Sequence, residues 1–251
     1  VIDPLVRGPA LGAIGAILGS FMATLVLRWS EGRSVMRGRS ACDGCGRTLR
    51  ARDLVPIVSA MLLRGRCRAC GGRIDPWHGR IEALAGLIGL SAGLAAATPV
   101  ALAGAAFGWL LLTLAALDLR ALWLPDRLTG ALAIGGVATG LLGMAPALED
   151  RIAGGILGYA TLWAIARGYR AWRGREGMGG GDPKLLGAIG AWLGWRMLPA
   201  VLLVACLVGL GAVLFAALRG RPMARDTPLP LGTLLGIAAY PAWLGMIVLA
   251  P

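Results

Sequence analysis

The sequence predicts an all-α polytopic membrane protein of about eight transmembrane helices, with a small cytoplasmic zinc-ribbon-like module between helices 1 and 2. Three observations carry this. Of 251 residues, 57% are hydrophobic and only 15% charged, which is too apolar for a soluble domain. Apolar segments of roughly bilayer-spanning length recur along the chain. One polar, arginine-rich stretch interrupts them near the N-terminus and holds four of the five cysteines.

The first apolar segment runs from Pro9 to Leu27; no cleavage site follows it, so it reads as a retained span. After the polar segment come apolar segments at Ile81–Ala97, Val100–Leu117, Leu128–Met144, Ile152–Ala166, Leu185–Trp195, Leu198–Leu218 and Leu231–Leu249. The sixth span, Leu185–Trp195, is short and begins within a loop. The expected organisation is a first transmembrane helix over 1–27, the cysteine module over 28–80, and a membrane-embedded domain of about seven helices over 81–251. No internal repeat is evident.

Basic residues set the orientation. The formal net charge of +12 comes from 24 Arg and a single Lys against 13 acids. Threading eight spans puts 22 of the 25 basic residues on one side and leaves only Arg7, Arg151 and Arg196 on the other. The positive-inside rule makes the crowded side cytoplasmic, with both termini outside. In a soluble protein such a charge suggests nucleic acid. Here the arginines are expected to face anionic headgroups or partners at the membrane surface, with no nucleic-acid partner. The same threading brings Asp118, Asp126 and Asp182 to the cytoplasmic boundary.

Cys42-Asp43-Gly44-Cys45-Gly46 and Cys67-Arg68-Ala69-Cys70-Gly71 are two Cys-x-x-Cys knuckles separated by 21 residues. Four thiolates at this spacing can close a tetrahedral zinc site, and a Gly after each second Cys permits the tight turn. Close cysteine pairs in a polar segment favour a metal in a reducing compartment over disulfides. Cys206 lies in an apolar span, where a small buried hydrophobe is expected. His78, the one histidine, is expected to be neither ligand nor base, because four cysteines complete a shell.

Acids at the hydrocarbon edge are costly and often functional. Asp126, after Pro125 and before an apolar run, reads as an N-cap. Asp118 does not, because an anion at a helix C-terminus opposes the macrodipole. Asp182 follows four glycines in five residues and precedes Pro183, which reads as N-cap followed by N1. Two such aspartates on packed helices suggest an aspartyl-protease pair sharing one proton. On the helix-terminus argument, Asp182 is the base and Asp118 the acid. Structural and ion-translocating roles stay open for the same residues.

Together these stretches resemble the type IV prepilin peptidases, bacterial intramembrane aspartyl proteases of the Gly-x-Gly-Asp type. Gly19-Ser20-Phe21 resembles the family's opening motif, and the two knuckles its cytoplasmic zinc domain. Arg52-Asp53-Leu54-Val55-Pro56-Ile57-Val58-Ser59 and Leu63-Arg64-Gly65-Arg66-Cys67-Arg68 resemble its linking segment. Asp118 with Leu124-Pro125-Asp126-Arg127-Leu128-Thr129 is similar to its first catalytic stretch, and Gly177–Asp182 with Lys184-Leu185-Leu186 to its second. The resemblance implies Asp118 and Asp182 as catalytic residues, supported by Gly179, Gly181 and Lys184. It also implies Cys42, Cys45, Cys67 and Cys70 as zinc ligands.

The implied reaction removes a short basic leader from prepilins or type II secretion pseudopilins, after a Gly, at the cytoplasmic face of the inner membrane. Many members also methylate the new amino group with S-adenosylmethionine, whose site in this chain the sequence does not indicate. Three stretches depart from the usual pattern. Pro183 follows the second aspartate, Asp75–Glu82 lacks the usual Tyr-Pro, and Leu229-Pro230-Leu231-Gly232 replaces the commoner Pro-Phe-Gly-Pro. Two other classes remain: a transporter, which would more often carry charges inside its spans, and a zinc-bearing membrane adaptor, which would not need the Gly-Gly-Gly-Asp turn.

Overall fold

A computed structural model describes residues 2–35, 40–42, 44–50, 53–221, 224 and 227–249; Asp43, Arg52 and the basic residues Arg37, Arg39 and Arg225 counted above lie outside them. The described residues form nine α-helices. They are α1 (Pro4–Ser30), α2 (Val58–Leu62), α3 (Trp77–Ala95), α4 (Thr98–Ala121), α5 (Asp126–Leu141), α6 (Leu148–Arg173), α7 (Gly181–Leu193), α8 (Leu198–Leu218) and α9 (Leu231–Val248). Every expected apolar segment overlaps one of them, and α8 coincides with its segment at both ends. The five-residue α2, inside the polar segment, was not expected. Among the described residues, four helical stretches are long and apolar enough to cross a membrane: α1, α4, α8 with the 3₁₀ turn before it, and α9. At 13 residues α7 is about 20 Å long, short of a hydrocarbon core.

Two compact units divide the chain, Val1–Thr113 and Leu114–Pro251, with the division inside α4. In the first unit, α1 begins as its sequence suggests. Asp3 accepts the Leu5 amide at 2.7 Å, and Pro4 takes the first helical position. The α1 glycines 8, 12, 15 and 19 face α3 so closely that a Cβ on Gly19 would lie 2.7 Å from Glu82 Cα. Small residues spaced about a turn apart let two helix backbones meet, which is how apolar helices gain contact without a hydrophobic driving force. At the N-terminus of α3, the Asp75 carboxylate accepts the Trp77 amide at 2.9 Å. Buried Glu82 accepts the amide of Ile57 at 2.8 Å and so ties the linking segment to α3. Ile57 is itself left-handed, with φ +62°. Buried Arg7 donates to the carbonyls of Gly93 and Ile2.

In the second unit α7 is the central element. All residues from Leu185 to Leu193 are buried, and the helix packs against α5, α6 and α9. On α5, a Cβ at Gly136 would lie 2.6 Å from the carbonyl of Ala191. Buried Arg151 ties the same helices together. It donates to the carbonyls of Pro146, Gly136, Ala191, Trp192, Met144 and Ala145 at 2.8–3.3 Å. Helix C-termini expose unpaired carbonyls with partial negative charge, so a guanidinium can satisfy several at once without a carboxylate partner. By contrast, Leu203, Leu207, Leu210 and Leu214 of α8 are exposed, as suits a lipid-facing helix.

Candidate active site and metal site

The cysteine module is two copies of one turn. In the first, Cys42 N–H donates to Arg47 O and Gly46 N–H to Cys42 O; in the second, Cys67 N–H donates to Gly72 O and Gly71 N–H to Cys67 O, all at 2.8–2.9 Å. Bridges between Ala41 and Thr48 and between Arg66 and Arg73 close the two hairpins. Gly46 and Gly71 both sit at φ +69°, the conformation expected for the glycine after each second cysteine. The Sγ atoms of Cys42, Cys45, Cys67 and Cys70 lie within 4.8 Å of one another, with Cys42 and Cys70 at 3.9 Å. Zinc–sulfur bonds of about 2.3 Å put tetrahedral sulfurs about 3.8 Å apart, so the cluster fits the metal after a slight contraction.

As free thiols the cysteines are unequal. The amides of Cys70 and Ala69 lower Cys67 to about 7. Against the Gly72 amide, the neighbouring Cys45 and Cys67 thiols hold Cys70 up at about 11. A metal needs thiolates, and the lowering at Cys67 acts in that direction.

The carboxylates are assembled differently. Asp118 lies in the last turn of α4 and Asp182 in the first turn of α7; they are 5% and 7% exposed. Asp118 Oδ2 accepts the Thr233 amide at 2.8 Å and lies 3.2 Å from Thr233 Oγ1. That hydroxyl is also 2.8 Å from the carbonyl of Ala115. The Gly232 amide faces both carboxylates, and the charge of Asp118 acts on Asp182. Leu124, from the turn before α5, wedges between Gly181 and Gly232. A Cβ on Gly181 would lie 2.8 Å from Leu124 Cβ, and one on Gly232 2.9 Å from Leu124 Cδ1 and 3.1 Å from Asp118 Oδ2. A Cβ on Gly179 would lie 3.3 Å from Asp182 Oδ2.

Two expected caps are not caps. Helix α7 begins at Gly181 with Gly180 as N-cap, which leaves Asp182 at the second helical position and its side chain making no capping bond. Helix α5 has Pro125 as N-cap, so Asp126 stands at the first helical position. Its carboxylate pairs with Lys184 at 2.7 Å on the exposed surface. Lys184 therefore ties the start of α7 to the start of α5. Sequence reasoning missed Thr233. The departure at Leu229–Gly232 pointed near it, but nothing local marks a hydroxyl that meets a carboxylate 115 positions away.

These features define a helical membrane protein with two buried aspartates at helix ends and a separate four-cysteine cluster. Sequence models of known families agree on what it is. The bacterial peptidase A24 N-terminal domain matches residues 13–96, and the type IV leader peptidase family matches residues 105–214. The chain belongs to the type IV leader peptidase family.

Among its relatives are three proteins named prepilin leader peptidase/N-methyltransferase. That of Dickeya chrysanthemi is 37% identical over 91% of this chain and 89% of the relative. That of Aeromonas hydrophila is 38% identical over 84% and 73%. That of Burkholderia pseudomallei strain 1026b is 44% identical over 78% of this chain, and the match spans only 64% of the relative's length. No solved structure matches the chain.

Proposed function

We propose that the protein removes the leader of prepilins or pseudopilins at the cytoplasmic face of the inner membrane, with eight helices threaded through the bilayer and Asp118 and Asp182 as the catalytic pair. The observation that carries the reading is the convergence of two buried carboxylates from α4 and α7 on the Gly232–Thr233 backbone at the start of α9. Like charges held close favour one shared proton, the arrangement needed to activate water with one acid and polarise a carbonyl with the other.

The hydrogen bonds favour a different division of labour from the one helix ends suggest. A macrodipole contributes about 0.3–1 kcal/mol at a helix end. A hydrogen bond to a charged group contributes about 1.5–3 kcal/mol. With the Thr233 amide on Oδ2, Asp118 is the member that takes the proton from water, and Asp182 the member that donates to the scissile carbonyl. The test is incubation of the purified chain with a prepilin and mass spectrometry of the product. Cleavage after a Gly is expected from the native chain and none from Asp118→Asn or Asp182→Asn.

Cys42, Cys45, Cys67 and Cys70 would hold zinc, which when bound supplies a structural cross-link and no chemistry. The relatives' names include N-methyltransferase, and we propose N-methylation, with S-adenosylmethionine as the donor, as a second activity here. A groove of about 600 Å³ along α5, α6 and α7 offers the aromatic Tyr159 and a carboxylate, Asp126, already paired with Lys184. The cavity of about 150 Å³ in the cysteine module is lined by arginines and Asp53, with no aromatic. Neither lining suits adenine and a sulfonium. Asp118→Asn and Asp182→Asn, given already cleaved pilin, should retain methyl transfer.

A further inference from the structure

We infer that Thr233 is a positioning residue that keeps Asp118 hydrogen-bonded in both of its protonation states, by turning a single hydroxyl proton between Asp118 Oδ2 and the carbonyl of Ala115. The inference rests on the reading of Asp118 as one of the catalytic pair.

A threonine hydroxyl has one proton to donate and two lone pairs to accept with. Thr233 Oγ1 lies 2.8 Å from Ala115 O and 3.2 Å from Asp118 Oδ2, both within hydrogen-bond range. One proton cannot serve two acceptors well, so the pair of contacts describes two settings of one rotor. In the first, Asp118 is a carboxylate and the hydroxyl donates to Oδ2 beside the Thr233 amide at 2.8 Å. In the second, Oδ2 carries a proton and donates it to Oγ1, while the hydroxyl proton swings to Ala115 O. That carbonyl sits inside α4 and has a second lone pair beyond the one its helix uses. No bond to carbon, nitrogen or oxygen is made or broken by the swing, which is a rotation about Cβ–Oγ1.

Both settings leave the Thr233 hydroxyl and Asp118 Oδ2 paired, and no buried side-chain nitrogen or oxygen among the described residues lacks a partner. This matters because an aspartate pair passes its proton back and forth during each turnover, and a buried group left unpaired in either state is costly. A donor fixed by the backbone alone serves only the carboxylate. The hydroxyl serves both, and the side chain holding it is 115 positions away on the helix that faces the pair.

The test uses the purified full chain with a prepilin substrate, measuring kcat, KM and thermal midpoint for Thr233→Val and Thr233→Ser. Valine keeps the shape and the backbone N–H but has no hydroxyl; serine restores it. The expected result is a fall in kcat of roughly ten- to hundredfold for valine. KM and thermal midpoint should stay near native, and serine should come within about threefold of native. Thr233→Ala takes the place of valine if that variant does not insert. A valine (or alanine) variant at full kcat overturns the inference. So does a loss shared equally by serine, or one confined to KM or to thermal stability. Asp118→Asn and Asp182→Asn run alongside. Activity in either sinks the catalytic-pair reading itself, whereas two inactive Asn variants with a fully active valine variant sink only the role of Thr233.

Discussion

Four cysteines between positions 42 and 70 reach one another through two hairpins that repeat the same turn. Asp118 and Asp182 meet only because α4, α7 and α9 come together over more than a hundred residues. The first site is specified locally. Each knuckle carries its own turn glycine and its own carbonyl acceptors, so it needs little from its surroundings beyond a metal. The second depends on its whole unit, from Leu124 wedged against Gly181 and Gly232 to Arg151 tying α5 to α7. Local sites should fail by losing stability, and assembled ones by losing function while the fold persists.

The largest expected effect sharpens that contrast. Asp118→Asn and Asp182→Asn each should lower cleavage by roughly a thousandfold or more, since residues that act as a unit fail together. Yield and thermal midpoint in detergent should stay close to native; an Asn variant that unfolds instead would break the comparison. Next comes Cys45→Ser, read by metal analysis and thermal scans. The expected outcome is loss of about one equivalent of zinc and a midpoint roughly 10 °C lower, with normal turnover in the fraction still folded. Native protein without zinc, or with a disulfide across the knuckles, would overturn the local-site half of the argument.

A smaller effect concerns the end of α4. Leu122 is left-handed, with φ +48°, at the position after a helix where glycine is usual. Leu122→Gly should raise stability by about 1 kcal/mol, measured as a higher thermal midpoint. The smallest belongs to Asp126→Asn. It breaks only the exposed pair with Lys184, so stability should fall by no more than about 1 kcal/mol and activity stay within about threefold. A dead Asp126→Asn beside an active Asp118→Asn would mean that the wrong acid of the first stretch was chosen.

The dipeptide Asp-Pro shows how far the residues alone could be read. It occurs at Asp3-Pro4, Asp75-Pro76 and Asp182-Pro183. The first two aspartates accept the amide two positions on, at 2.7 and 2.9 Å, as a helix start predicts. The third is also followed by Pro, but Gly181 rather than Ile precedes it, and with the helix starting at Gly181 its carboxylate makes no capping bond. A following proline alone therefore does not place a carboxylate; where the helix starts does. The same division runs through the fold. Apolar length located α1 and α3 to α9. The linker tie from Glu82 to Ile57 and the hydroxyl of Thr233 were illegible, since each exists only through a contact far along the chain; the short α2 is held by local backbone bonds and has no apolar periodicity long enough to mark it.

Arg7 and Arg151 are two of the three basic residues on the sparsely charged side of the eight-span threading, and both are sequestered by backbone carbonyls. Only Arg196, exposed beside the ring of Trp195, is left to present a charge there. In the eight-span arrangement proposed above, neither the Arg7 nor the Arg151 guanidinium presents its charge at that side, a sharper polarity than counting arginines suggests. The nascent chain meets the opposite situation. Its guanidinium at position 151 emerges about 40 residues before the Ala191 and Trp192 carbonyls that will receive it. During biogenesis that charge must be tolerated by lipid, water or the insertion machinery until α7 arrives. Slowing synthesis between α6 and α7 should therefore make insertion of native chains more error-prone than insertion of an Arg151→Met variant.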